Sequence, residues 1–231
     1  MRRLIHKTTA VWKREEGAIL LLPLVVAALF VAPLLKDWLP GLAALSTTLV
    51  VLLFVVGALV VARNVWGGLA VSLLAGAAIL LEVVRQIAGA DSFAPWRLGL
   101  SGLTIGVFTV VMLARVFAPG PVTSYRLVGA VVAYLLVGLT WAYLYQFIEV
   151  LRPGSFRAAQ GMAEGSYPTA LYYSFVTLTT VGYGDVTPVS SAARAFSNLE
   201  SLVGILYPAV LIGRLLSKQV AVAPPEPPLP G

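Results

Sequence analysis

The chain has 231 residues, of which 59% are hydrophobic and only 11% charged, with no cysteine and a single histidine, His6. A soluble domain keeps about a quarter of its residues charged, so this composition argues for an integral membrane protein and against a soluble enzyme, a nucleic-acid reader or a disordered scaffold. The net charge of +6 fits Lys and Arg gathered at cytoplasmic helix ends, and the missing thiols remove disulfides, thiolate metal sites and cysteine nucleophiles.

A helix needs roughly 20 apolar residues to cross a hydrocarbon core. Runs of that kind fall near 17–35, 41–62, 66–88, 97–118, 125–150 and 191–216. Lipid offers backbone groups no partner, so each run is expected to be a helix. The positive-inside rule puts the lead with Arg2, Arg3, Lys7, Lys13 and Arg14 in the cytoplasm. Six crossings then return the other terminus to the same side. Arg63, Arg115, Arg126, Arg214 and Lys218 fall inside, and Lys36, Arg85, Arg97, Arg152, Arg157 and Arg194 outside. The charged lead, ending in Arg14, Glu15 and Glu16, fits an uncleaved anchor better than a signal peptide. The expected units are a basic N-terminus over 1–16, a four-helix region over 17–118, a second membrane unit over 119–218 and a Pro-rich cytoplasmic tail over 219–231. That tail reads as polyproline II or solvated chain.

Between Leu151 and Ser191 the hydropathy breaks, yet Tyr167 to Leu178 is an apolar and aromatic run too short to cross. It predicts a re-entrant helix. Ser166 suits its N-cap, Pro168 its first turn, and Ala170, Leu171, Phe175 and Leu178 suit packing on neighbouring helices. Directly after it runs Thr179, Thr180, Val181, Gly182, Tyr183, Gly184, Asp185. The string TTVGYGD resembles the selectivity filter of potassium channels. Removing water from a cation inside a bilayer is costly unless oxygen dipoles replace that water. Gly182 and Gly184 permit backbone conformations closed to other residues, so carbonyls of Thr180, Val181, Gly182 and Tyr183 can face one axis as ligands for K+. The Thr180 hydroxyl is placed to add an innermost ligand, while Val181 and Tyr183 would pack the filter from outside. One chain supplies one strand, which requires a homotetramer. The short helix would aim the negative end of its dipole at the cation path.

The resemblance covers roughly residues 125 to 218: outer helix, pore helix, filter and inner helix of the potassium-channel pore. It implies that Tyr172 and Tyr173 brace the filter, with Tyr172 either hydrogen-bonded to Asp185 or simply packed. Some bacterial pores carry a pore-helix Glu where this chain has Val176, so Asp185 lacks the acidic partner on which slow filter closure of that type depends. Gly204, nineteen positions after Asp185, lies where the family often has an inner-helix hinge, and close helix packing is the other reading. Pro208 removes a backbone hydrogen bond and predicts a bend. Ser201, Ile205, Pro208 and Ile212 share a stripe able to face a cavity. Glu200 is an acid within a membrane helix, about 100° from that stripe, and is expected behind the filter, bonded to the pore helix, with Asn198 a second candidate. Glu149 is read either as bonded to the filter's outer connection or as an interfacial acid. Glu82 and Arg85 are read as a neutralising pair.

Six helices with the filter before the last one resemble voltage-gated potassium channels, but the fourth run carries only Arg97 and Arg115, one near each end. Steep voltage gating needs several intramembrane charges. The fold class implied is an all-α, tetrameric membrane channel of six transmembrane helices plus the pore helix and filter loop, in the cell membrane with both termini cytoplasmic. The function implied is passive potassium conduction, not catalysis, with K+ as permeant ion, lipid as surroundings and no nucleic-acid partner. A weakly selective cation channel and a nonconducting membrane scaffold or transporter subunit are the alternatives.

Overall fold

The structure, a computed structural model, describes residues 21–31, 73–81, 83–84, 93–120 and 123–220. The span expected at 41–62, the lead 1–16, the tail 221–231, and Glu82 and Arg85 lie outside the described residues. The spans expected at 17–35 and 66–88 are described only in part, as an apolar helix at Leu21–Val31 and as helix over 73–81. Among the described residues three helices are long and apolar enough to cross a membrane: α1 (Ala94–Val116), α2 (Ser124–Leu151) and the Ser191–Arg214 part of α4 (Ser191–Val220).

Local chemistry explains where these helices begin and end. Helix α1 starts with Pro95 in its first turn and stops short of Pro119, whose ring disfavours helical backbone at the residue before it. Helix α2 is capped by Thr123, whose hydroxyl accepts the Arg126 amide at 3.3 Å. Its 28 residues extend about 42 Å, more than a hydrocarbon core of about 30 Å, and it ends just before Pro153 and Gly154. Helix α4 is opened by Ser190, whose hydroxyl accepts the Ala193 amide at 3.2 Å.

The core lies between α1 and α2. Gly99, Gly102 and Gly106 put a smooth face of α1 against Phe147, Tyr143 and Thr140 of α2. Such small-residue stripes let membrane helices approach closely. The Thr109 and Thr140 hydroxyls meet across the seam at 3.0 Å, and each also lies 2.8 Å from a carbonyl of its own helix, Ile105 or Leu136; with one hydrogen apiece, the hydroxyl that donates across the seam leaves its own carbonyl contact without a hydrogen. Leu21, Val25 and Leu29 of the first helix join Ile105, Val132, Leu136 and Leu139 in the same buried cluster.

Helix α3 (Tyr167–Leu178) leans on α2 and is followed by an irregular return to α4. The described residues are mostly helical, but the all-helical expectation needs one amendment. Strand β1 (Phe156–Ala158) pairs antiparallel with β2 (Val186–Pro188), Phe156 opposite Pro188 and Ala158 opposite Val186. Three residues per strand show no sequence periodicity, so this ribbon was not foreseen. It ties the segment after α2 to the segment after Asp185.

Candidate functional site

Helix α3 forms over the residues its composition predicts. Ser166 caps it by accepting the Thr169 amide, and Pro168 lies in its first turn. At 12 residues it is about 18 Å long, too short to cross. Ala170, Leu171 and Leu178 are buried, and the Phe175 ring fills the notch left by Gly138 on α2, where an added Cβ would come within 2.8 Å of it. Phe30 of the first helix touches the same ring, with centroids 5.9 Å apart.

From its end runs the strand 179–184. The amides of Thr180, Val181 and Gly182 turn back to the last turn of α3, donating to Thr177 O at 2.9 Å and to Val176 O at 3.0 and 3.3 Å. Beyond that, φ changes sign residue by residue. Thr180, Gly182 and Gly184 have φ of 60°, 60° and 78°, whereas Val181 and Tyr183 between them stay negative. A backbone that alternates this way lines its N–H groups on one side and its carbonyls on the other. Among the described residues no donor reaches the carbonyls of Thr180, Val181, Gly182 or Tyr183. Two glycines meet the left-handed requirement without cost. Thr180 does not, because a β-branched residue there is strained by about 1–3 kcal/mol, and strain of this kind gathers at functional sites. The whole strand is exposed on the protomer, Val181 by 53% and Tyr183 by 71%.

Adjacent tyrosines on α3, about 100° apart around the helix, meet different partners. Tyr172 faces the strand: its hydroxyl donates to Asp185 Oδ2 at 2.5 Å, and its ring lies parallel to that of Tyr183, 4° apart in plane and 6.5 Å between centroids. Asp185 Oδ1 accepts the Val186 amide at 3.0 Å, and the Asp185 carbonyl accepts the Ala159 amide at 2.7 Å. The far end of the strand is thereby moored to the ribbon. Tyr173 faces away, into a triad with Tyr145 and Phe156 whose rings meet edge to face at 5.0 to 5.3 Å. Such aromatic pairs contribute about 0.5–1.5 kcal/mol each beyond burial.

Behind α3, Glu200 is 0% exposed. Its Oε2 accepts the Tyr145 hydroxyl at 2.5 Å, and its Oε1 lies 2.5 Å from the Ser174 hydroxyl. The acid thus contacts the short helix, away from the stripe of Ser201, Ile205, Pro208 and Ile212. Asn198 is exposed and does not share this place; Ser197 does, accepting from Tyr173 at 2.7 Å and donating to the Ala193 carbonyl at 2.7 Å. Tyr145, Ser174 and Ser197 are the site residues that the sequence did not single out. Glu149 accepts the amides of Gly154 at 2.7 Å and Phe156 at 3.1 Å, shaping the turn into β1.

Gly204 meets the end of α3 directly: a Cβ there would lie 1.8 Å from the Leu178 carbonyl oxygen. The contact alone requires glycine. Pro208 lacks the N–H that would bond the Gly204 carbonyl, yet α4 continues through both. At the far end of α4, Arg214 donates to the carbonyls of Val116 and Ala118 at 3.3 and 2.6 Å and sits over the Phe117 ring. Arg126 holds the carbonyls of Ala118, Pro119 and Gly120 from α2. Two guanidiniums therefore clasp the turn between α1 and α2, where cations suit the negative end of α1.

Known proteins resemble this part of the chain. Residues 129–219 match a family described as "Ion channel". Two pore potassium channel c of Oryza sativa subsp. japonica is 38% identical over 65 residues, 28% of this chain and 14% of that protein. The human voltage-gated inwardly rectifying potassium channel KCNH6 is 37% identical over 62 residues, 27% of this chain and 6% of that protein. The rat A-type voltage-gated potassium channel KCND3 is 38% identical over 52 residues, 22% of this chain and 8% of that protein. The matched region thus spans a small part of each relative. No solved structure matches the chain.

Proposed function

We propose, because residues 129–219 match the ion-channel family and potassium channels are among the chain's relatives, that this membrane protein is a homotetrameric, potassium-selective channel and not an enzyme. The observation that carries the reading is the run of four carbonyls, Thr180 to Tyr183, without donors on a backbone whose φ alternates in sign. Four such strands around one axis would replace the hydration shell of K+, the permeant ion. Gly184 and Asp185 would hold the outer end, Tyr172 would brace the strand directly, Tyr173 would brace it indirectly by locking α3 against Tyr145 and Phe156, and Glu200 would fix α3 behind it. The spanning window of α4 is only 17% buried within the protomer, which suits a helix whose Leu202, Ile205, Leu206 and Ile212 meet other copies or lipid. Gly204 and Pro208 lie where α4 is thinnest and lacks a hydrogen bond, so they are the natural place for a gating bend. The unit 119–218 is then the pore domain, in the cell membrane, with 17–118 as the N-terminal transmembrane region and both termini cytoplasmic.

Purified protein in liposomes is expected to pass potassium at least tenfold better than sodium, with Thr180→Ala and Tyr183→Ala each reducing that ratio. Unchanged selective flux in both variants contradicts these roles. Sodium passing equally well would mark a weakly selective cation channel, and no flux a scaffold. Voltage is expected to matter little. Moving one charge through the field contributes about 2.3 kcal/mol per 100 mV, and α1 carries charge only at Arg97 and Arg115. A shallow conductance–voltage curve is the expected result; a steep one contradicts it.

A further inference from the structure

The oxygens around Glu200 outnumber the hydroxyl hydrogens available to join them. Three contacts meet there: Tyr145 hydroxyl to Oε2 at 2.5 Å, Ser174 hydroxyl to Oε1 at 2.5 Å, and Ser174 hydroxyl to the Gly138 carbonyl at 2.7 Å. Each is as short as a full two-centre O–H···O bond, and a hydroxyl has one hydrogen to donate. Tyr145 and Ser174 supply two hydrogens for three contacts, and the carbonyl of Gly138 can only accept. The nearby Tyr173, Ser197 and Ala193 contacts use their own two hydrogens and lend none.

We infer that Glu200 is carried as a neutral carboxylic acid whose proton completes a directed chain, Glu200 to Ser174 to the Gly138 carbonyl, that positions α3 between α2 and α4. An ionised Glu200 would draw the Ser174 hydrogen to itself. Ser174 Oγ and the Gly138 oxygen would then face each other at 2.7 Å with no hydrogen between them, and the tie from α3 to α2 would turn repulsive. The titratable groups facing Glu200 among the described residues are Tyr134 and Tyr145 of α2 and Tyr173 of α3, all uncharged phenols, with Ser197 beside it on α4. None offers a positive charge to a buried carboxylate, and an unpaired buried charge is far costlier than a neutral acid. Glu200 is a positioning residue, acting through α3 on the strand that begins where α3 ends. In its functional half this inference rests on the channel reading: filter alignment, and hence potassium flux, depends on one proton per chain.

Infrared spectroscopy on the full-length protein tests the proton directly. At neutral pH a carboxylic-acid C=O stretch is expected, shifted by ¹³C-glutamate labelling, absent in Glu200→Gln and moved in frequency by Ser174→Ala. Wild-type potassium flux is expected to fall in alkali by at least about tenfold per pH unit once the acid titrates, because each of the four chains loses one proton. Glu200→Gln, whose amide donates to Ser174 and whose oxygen accepts from Tyr145, is expected to lose that decline whatever its absolute flux. Absence of the acid band at neutral pH overturns the inference. So does a Gln variant as alkali-sensitive as wild type, or one that fails to assemble, because a neutral isostere preserves every contact invoked. An acid band in a protein that passes no ion would leave the inference standing and remove the channel reading instead.

Discussion

Gly182→Ala is expected to abolish selective potassium flux while leaving α2, α3 and α4 folded. Nothing lies within 4 Å of the position a Cβ would take at Gly182, so the substitution clashes with nothing in the protomer. Its cost is conformational. At φ 60° an L-residue is disfavoured by about 1–2 kcal/mol, and an assembly of four chains repeats that cost at one level of one narrow path, about 4–8 kcal/mol in all. The cheapest escape is a flip of one peptide, which reverses the alternation in φ and turns a carbonyl away from its neighbours. Thr180 already bears a comparable strain at the same φ, so the strand has little left to absorb. Ion flux through liposomes measures the loss, expected to exceed tenfold. Wild-type flux and selectivity in Gly182→Ala would mean that conduction does not need this backbone.

Gly204→Ala is expected to have the largest effect on stability. Its Cβ would fall 1.8 Å from the Leu178 oxygen and 2.8 Å from the Leu178 carbon, and both are backbone, so no side-chain rotation relieves the overlap. Overpacking costs about 1–3 kcal/mol, occasionally more, and here α4 must draw away from the end of α3, so the upper end or beyond is expected. Loss of assembled protein on size-exclusion chromatography, with a lower melting temperature, measures it. Gly213→Ala on the same helix is the control, because nothing lies within 4 Å of its Cβ and alanine favours helix by about 1 kcal/mol. A stable, assembled Gly204→Ala with altered opening would instead point to a hinge as the reason for glycine.

Features carried by local chemistry were legible in the sequence. Ser166, Pro168 and the apolar run to Leu178 define α3 within one turn of chain, and the bounds of α1, α2 and α4 follow from hydropathy, prolines and caps. The burial of Glu200 against α3 followed from helical phase. Its partners did not, since Tyr145 and Ser174 lie 55 and 26 residues away and no spacing announces a contact between different helices. Ser197 was within reach of the same phase reasoning, being one turn from Glu200, whereas Asn198 points elsewhere. For Gly204 the sequence left hinge and packing open, and only the approach of the Leu178 carbonyl supplies the packing reason. Arg126 and Arg214 read as topology signals, and their joint hold on the turn after α1 needed coordinates. The ribbon of β1 and β2 was too short to read at all.

The most direct test of the account is the anomalous-scattering density of the purified assembly in rubidium or thallium. Ions stacked on a fourfold axis between successive tiers of Thr180, Val181, Gly182 and Tyr183 carbonyls are the expected result. Carbonyls turned from a common centre, with no ion between them and no fourfold arrangement of chains, would contradict it.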